Sequence, residues 1–150
     1  MGKFSFSIPS TLQSKIDKIA KQSPEIIDKC VEEGAEVAKE AVERNLVAVL
    51  SPEHQNGELV RSIGVTPVKV NREGVHNARV GFREPRKNQT KAKGKRSYYV
   101  QTNAMIANVL EYGRSGKQKA RPFLQKAMKE CEQKVMETME QTFDREVGQV

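Results

Sequence analysis

The stretch VLEYGRSGKQKARPFLQKAM, from Val109 to Met128, holds the residues best suited to chemistry. An apolar lead-in, two glycines, a Gly-Lys pair and an amphipathic run outline a strand, a phosphate loop and a helix. The spacing rejects that outline. A phosphate loop needs a longer spacer before its Gly-Lys pair, then Ser or Thr, so that backbone N–H groups wrap the phosphates and a hydroxyl reaches the metal. Here only Arg114 and Ser115 separate Gly113 from Gly116, and Gln118 stands where the hydroxyl should be. No nucleotide, metal or other cofactor is expected.

The remaining candidates for acid–base or metal chemistry are sparse. His54 falls in a polar turn and His76 in a strand-like run beside Asn77. Neither has a Cys, Ser or carboxylate at a spacing that implies partnership, and two histidines do not make a zinc site unaided. Both read as structural or solvated. Glu32, Glu33, Glu36, Lys39, Glu40 and Glu43 read as the solvated face of a helix; Glu36 and Glu40, one turn apart, could hold a cation, but exposed helix faces are routinely charged. Glu111 stands between an apolar run and the glycine loop. It suits a catalytic acid, or an ion pair with an Arg of its own or a neighbouring subunit. The ion pair is the better reading, because no second catalytic group can be named. No enzyme is expected.

The elements that must position these residues follow from periodicity. Ser10 and Gln13 have the spacing of a capping box, and Leu12, Ile16, Ile19 and Ala20 then share one helical face. Ser23-Pro24-Glu25 opens a longer helix to about Leu50, with the stripe Ile27, Val31, Gly34, Ala38, Ala41, Val42, Leu46 and Val49. Its small residues imply close approach to another backbone. Ser51-Pro52 and Asn56-Gly57 are turn signals. From Leu59 the period shortens: one strand through Val65, Pro67 and Val70, a turn at Asn71 to Gly74, and a second strand from Val75. Pro67 marks a sheet edge or a bulge. Tyr98 to Thr102 reads as a strand, and the run from Ala104 to Gly113 as a short helix or a strand, with a short helix or turn the better reading. A last helix begins at Pro122, with Leu124, Ala127, Met128, Cys131, Val135, Met139 and Phe143 on its apolar stripe. The expected fold is one α+β domain over 1–150: N-terminal helices, a small, mostly antiparallel sheet and a C-terminal amphipathic helix.

Charge is placed unevenly within a net +7. Arg83 to Arg96 carries seven basic residues and one acidic, and Arg114 to Arg121 four basic and none acidic. The rest of the chain is mildly acidic. The first segment, about 83–97, reads as a long basic loop, and such loops suit phosphate backbones, with Tyr98 and Tyr99 placed to stack on bases. No helix-turn-helix, RNA-recognition or zinc-finger signature accompanies them. Cys30 and Cys131 lie on apolar stripes without metal-ligand spacing, which fits a reducing compartment. The start MGKFSFSIPS fits neither a signal peptide nor a myristoylation site, and no window reaches the roughly 18 apolar residues of a membrane span. A soluble chain without membrane contact is expected.

Three pieces in order carry a resemblance. GELVRSI (Gly57, Leu59, Ser62, Ile63) is a turn glycine leading into a strand. IANVLEYGRSG (Glu111, Tyr112, Gly113) is an acidic-aromatic-glycine step, and ARPFLQKAM (Pro122, Phe123) is a helix start. The set resembles the small head–tail joining or tail-completion proteins of long-tailed double-stranded DNA phages and prophages. That resemblance implies a non-enzymatic virion protein that completes the tail or joins head adaptor to tail tube. It also implies assembly as a ring of about six copies around the DNA channel, made in the host cytoplasm. Its partners would be other copies of itself, the portal–adaptor complex and the tail-tube protein. The nine residues named above become candidates for the assembly corner. Arg86, Lys87, Lys91, Lys93, Lys95, Arg96, Arg114, Lys117 and Lys119 become candidates for partner or transient DNA contact. The alternative is a non-specific nucleic-acid-binding domain using the basic loops.

Overall fold

The computed structural model describes residues 4–19, 24–86 and 101–148. In chain order these form β1 (Phe4–Ser7), α1 (Ser10–Ile19), α2 (Pro24–Val49), a 3-10 turn at Pro52–His54, α3 (Glu58–Arg61), β2 (Ile63–Val65), β3 (Lys69–Val70), β4 (His76–Phe82), α4 (Asn103–Tyr112) and α5 (Leu124–Val147). The α+β class expected from the sequence is the observed one.

Helix α2 is the spine. Its small and branched apolar residues recur at helical spacing, and Ile27, Cys30, Val31, Ala35, Ala38, Ala41, Val42 and Leu46 are all buried. Helix α5 runs antiparallel along it: Lys29 pairs with Glu146, and Asn45 with Glu130 near the other end. Gly34 explains how close the two come. A Cβ there would lie 2.5 Å from Met139 Cε and 3.3 Å from Val135 Cγ1, so only glycine lets Met139 lie across the α2 backbone. On α5 the buried positions are Leu124, Ala127, Cys131, Val135, Met139 and Thr142. Met128, expected on this stripe, is instead 52% exposed, and Thr142 is buried while Phe143 packs at the margin. The helical phase drifts over these turns, so the buried line leaves the strict apolar pattern.

The other side of the core is the sheet, in the order β1-β4-β2, with β3 also pairing β4; every pairing is antiparallel. β4 is therefore central, and Ala78 and Val80 turn inward from it. The sequence leads to one strand through Pro67, but the structure has two. Val65 faces Val80 and Lys69 faces Asn77, so residues 66–68 oppose only residues 78–79. The extra residue is a bulge at Pro67, held by Thr66 N–H to the Arg79 carbonyl (2.8 Å) and by Arg79 N–H to Thr66 Oγ1 (2.9 Å). The hairpin turn at 71–74 is as expected, with Gly74 at φ 78° and Asn71 Oδ1 accepting from the Glu73 and Val75 amides.

Further details differ from the sequence reading. The strand opens at Ile63 as expected, but the lead-in is a helical turn, α3, capped by Gly57 and burying Leu59. The capping box at Ser10 does not form: Gln13 Nε2 donates to Asp17, and Gln13 Oε1 is left buried without a partner. Pro122 does not start α5, which begins two residues later with Phe123 as its N-cap. β1, an edge strand, has no counterpart in the sequence reading. Of the strand expected at Tyr98–Thr102, Thr102 is the N-cap of α4, its Oγ1 accepting from Met105 N–H at 3.1 Å. Tyr98 and Tyr99, like Ala20 and the side chain of Ile19, lie outside the described residues.

Candidate functional site

The candidate corner is built where α4 ends. Leu110 and Glu111 point inward and Tyr112, 69% exposed, points out. Gly113 then adopts φ 76° and ψ 179°, a region essentially reserved for glycine. A Cβ at Gly113 would sit 2.7 Å from the Ala120 nitrogen and 2.9 Å from the Gln118 carbonyl oxygen, so the chain passes itself with no room for a side chain. Between these points residues 114–118 close a tight hairpin: Arg114 N–H donates to the Gln118 carbonyl (2.8 Å) and Gln118 N–H to the Arg114 carbonyl (2.9 Å). Gly116, at φ 68°, makes its tip. Arg114, Lys117 and Lys119 are exposed on it. Arg121 ties the hairpin down at its far end, its N–H donating to the Leu110 carbonyl (2.7 Å) and its guanidinium to the Val49 carbonyl (3.1 Å).

Glu111 does something the sequence does not announce. Its carboxylate accepts from three consecutive backbone amides at the start of α5: Phe123 and Leu124 on Oε2, each at 2.8 Å, and Gln125 on Oε1 at 3.2 Å. A helix start leaves such amides unpaired and carries a partial positive charge, so an anion there answers both needs. The expected Arg partner is not the one observed, because α5 approaches end-on and presents amides instead. Phe123 itself is fully buried and meets Phe82 of β4 edge to face, ring centres 6.4 Å apart, so the corner is anchored on the sheet as its sequence implies.

The second group of candidates, Gly57 to Ile63, sits one element away. A Cβ on Gly57 would meet the His54 carbonyl oxygen at 2.9 Å. Ser62 Oγ donates to the Leu59 carbonyl (2.6 Å), the Ser62 carbonyl accepts from Arg83 N–H (2.7 Å), and Leu59 and Ile63 are buried. α3 packs beside α4, which brings this group next to the corner. Seven of the nine corner candidates therefore shape the subunit's interior or its turns; Tyr112 and Pro122 are exposed.

The first basic segment is described only at its start. Asn103, buried at the head of α4, donates to the Arg83 carbonyl (2.8 Å) and accepts from Arg86 Nη1 (2.9 Å), and Glu84 Oε1 accepts from Ala104 N–H (2.9 Å). Arg86 is thus part of the fold. Lys87, Lys91, Lys93, Lys95 and Arg96 lie outside the described residues.

Charge also stitches α2 to α5. Thr142 and Arg145 both bond the Glu33 carboxylate and hold its pKa below the ordinary glutamate range; Lys29 does the same to Glu146, and Asn45 to Glu130. Burial pushes the Cys30 thiol up to about 11 and raises Cys131 as well, which leaves both as inert core sulfurs. His76 has a partner the sequence did not indicate: its Nδ1 lies 2.7 Å from Asp28 Oδ1 across the β4–α2 contact. Complementary charges on two separated elements were the available signal for Lys29–Glu146 and Glu33–Arg145. Among the described residues no cluster of His, Cys, Asp or Glu has the arrangement of a metal site. No helix there is long and apolar enough to cross a membrane.

What the corner organises is backbone and surface charge: a carboxylate spent on a helix start and a rigid basic hairpin. That is the construction of an α+β structural module. Comparison with known proteins names its family. Residues 10–113 match the family described as "Bacteriophage HK97-gp10, putative tail-component". The match spans well over half of the chain, and the protein belongs to this HK97-gp10-like family. No curated protein and no solved structure matches. The matched span takes in GELVRSI and reaches its end at Gly113; Pro122, Phe123 and α5 lie beyond it. Membership supports a structural role in a phage tail, a place in the virion and contact with other virion proteins.

Proposed function

We propose that this chain works as one domain that completes the phage tail or joins the head adaptor to the tail tube, assembling as a closed ring of about six copies around the DNA channel. Family membership over residues 10–113 carries the proposal. The build of the chain supports it: a helix pair and sheet joined by buried contacts, with a hydrogen-bonded basic hairpin exposed at its surface. In a ring each copy offers one face to a different face of its neighbour, so unlike patches on a single subunit are what such an assembly requires. Of the nine corner residues, Glu111, Gly113 and Phe123 fix the direction of α5 and of the hairpin, Gly57, Leu59, Ser62 and Ile63 shape the neighbouring turn, and the exposed Tyr112 and Pro122 are free to meet a partner in a non-catalytic assembly. The test is removal of the gene from its phage, followed by electron microscopy of lysates and mass spectrometry of purified virions. Filled heads separate from tails, and the protein's presence in wild-type virions, are expected. Normal infectious particles made without it would defeat the proposal.

The exposed side chains of Arg114, Lys117 and Lys119 also fit a nucleic-acid-binding reading. That reading requires duplex binding that weakens steeply with salt and is lost when residues 87–95 are deleted, whereas the tail reading requires assembly to survive that deletion. Arg86 is kept in this deletion because it bonds Asn103.

A further inference from the structure

The surface carries a second charged feature, opposite in sign to the hairpin. A notch of about 690 Å³ opens between α2, the bulge and α5, with Val37, Val65 and Pro67 in its lining and Glu32 and Glu36 exposed at its edge. Glu33, also lining it, is engaged by Thr142 and Arg145, and among the described residues Glu36 has an ion pair with the half-buried Lys39 alone, at 3.5 Å. Glu32 has no ion-pair partner among the described residues. The hairpin at 114–118 cannot reach this notch in its own chain. Arg121 fixes the hairpin to Val49 at the C-terminal end of α2, whereas Glu32 and Glu36 lie in its N-terminal half, on the order of 20–25 Å away at the helical rise per residue. One chain therefore carries an exposed cationic hairpin and an apolar notch with an anionic edge, set apart along its longest element.

We propose that the 114–118 hairpin of one copy docks in the Glu32–Glu36 notch of the next. The inference rests on the ring reading and gives it an interface. Arg114 and Lys117 meet the two glutamates, and the aliphatic parts of their side chains cover Val37, Val65 and Pro67. The contact is heterologous, so it propagates around a ring and closes only when the last copy meets the first.

Charge reversal tests it in the full chain. Arg114→Glu/Lys117→Glu and Glu32→Lys/Glu36→Lys change exposed side chains only, and circular dichroism checks that both variants fold. Sedimentation velocity across protein concentration reads self-association. Each pair alone should raise the concentration needed for assembly by about tenfold or more, since like charges then face each other. All four changes in one chain, or an equal mixture of the two pairs, should restore assembly. A pair that assembles like the wild type overturns the inference, and so does a fourfold variant that stays apart. Should the hairpin pair lose duplex binding but assemble normally, the hairpin serves nucleic acid instead. A wild type that remains monomeric at every concentration defeats the ring reading itself, whereas a wild-type ring indifferent to both pairs defeats only this interface.

Discussion

Glu111→Ala should be among the most damaging single substitutions outside the apolar core. The carboxylate accepts three amide N–H bonds at the start of α5, and Glu111 and two of its three donors, Phe123 and Leu124, are buried. Loss of an ordinary side-chain cap costs about 1–2 kcal/mol. An anion at a partly buried helix end adds up to about 2 kcal/mol. With Phe123 and Leu124 buried, water reaches few of the freed amides, so the loss for Glu111→Ala lies near the top of that range, about 3–4 kcal/mol, a large share of the roughly 5–15 kcal/mol that holds a domain together. At about 2–4 °C per kcal/mol for a chain of this size, the melting temperature should fall by roughly 6–16 °C. Glu111→Gln keeps an acceptor oxygen but loses the charge and turns an NH₂ toward amide donors, so about half the loss is expected. Urea unfolding at neutral pH, followed by helix signal, measures both. A Glu111→Ala variant within about 0.5 kcal/mol of wild type would refute the capping argument, because an unneeded cap is the only way to lose three such bonds without cost.

Gly113→Ala combines a glycine-only backbone with a 2.7 Å clash against the Ala120 nitrogen, and should cost about 2–3 kcal/mol by thermal melting; a gain in stability would show the turn to be malleable. Acid should loosen the α2–α5 contact. Glu33, Glu130 and Glu146 have pKa values lowered in the folded chain, so their contribution is present above the ordinary carboxylate range and disappears as pH falls through the lower, folded values. Glu33→Gln/Glu146→Gln should thus lower the urea midpoint at pH 7 and converge with wild type below about pH 4, and a gap independent of pH would contradict this. Cys30 and Cys131 should resist alkylation in the native protein and react at once in denaturant, as read by mass spectrometry; rapid native labelling of either would show that its helix opens.

What the sequence made legible follows from which interactions are local. The stripe of α2 is a helical repeat, so its buried face and the close approach at Gly34 could be read directly. Gly113 announced a turn and Phe123 an anchor because glycine and a large apolar residue each have few alternatives there. Glu111 was visible as unusual, but its partners are main-chain amides, which every residue except proline supplies and no sequence pattern marks. His76 and Asp28 are 48 positions apart, and nothing local joins them. The strand β1 is four residues long and pairs only with β4, so its short Phe-Ser alternation carries little weight without that distant partner. Pro67 was read as a sheet edge or a bulge, and it is both: β2 and β3 pair only with β4, and the register against β4 places the extra residue between them.

That bulge has a consequence for how the protein behaves when many copies are made at once. An intact outer strand running from Ile63 to Val70 would offer an uninterrupted ladder of amides and carbonyls to any similar strand nearby. Pro67 deletes one donor, the additional residue kinks the line, and Lys69 puts a cation beside the break. The sheets of neighbouring molecules therefore find a broken template along this border, which works against edge-to-edge pairing there.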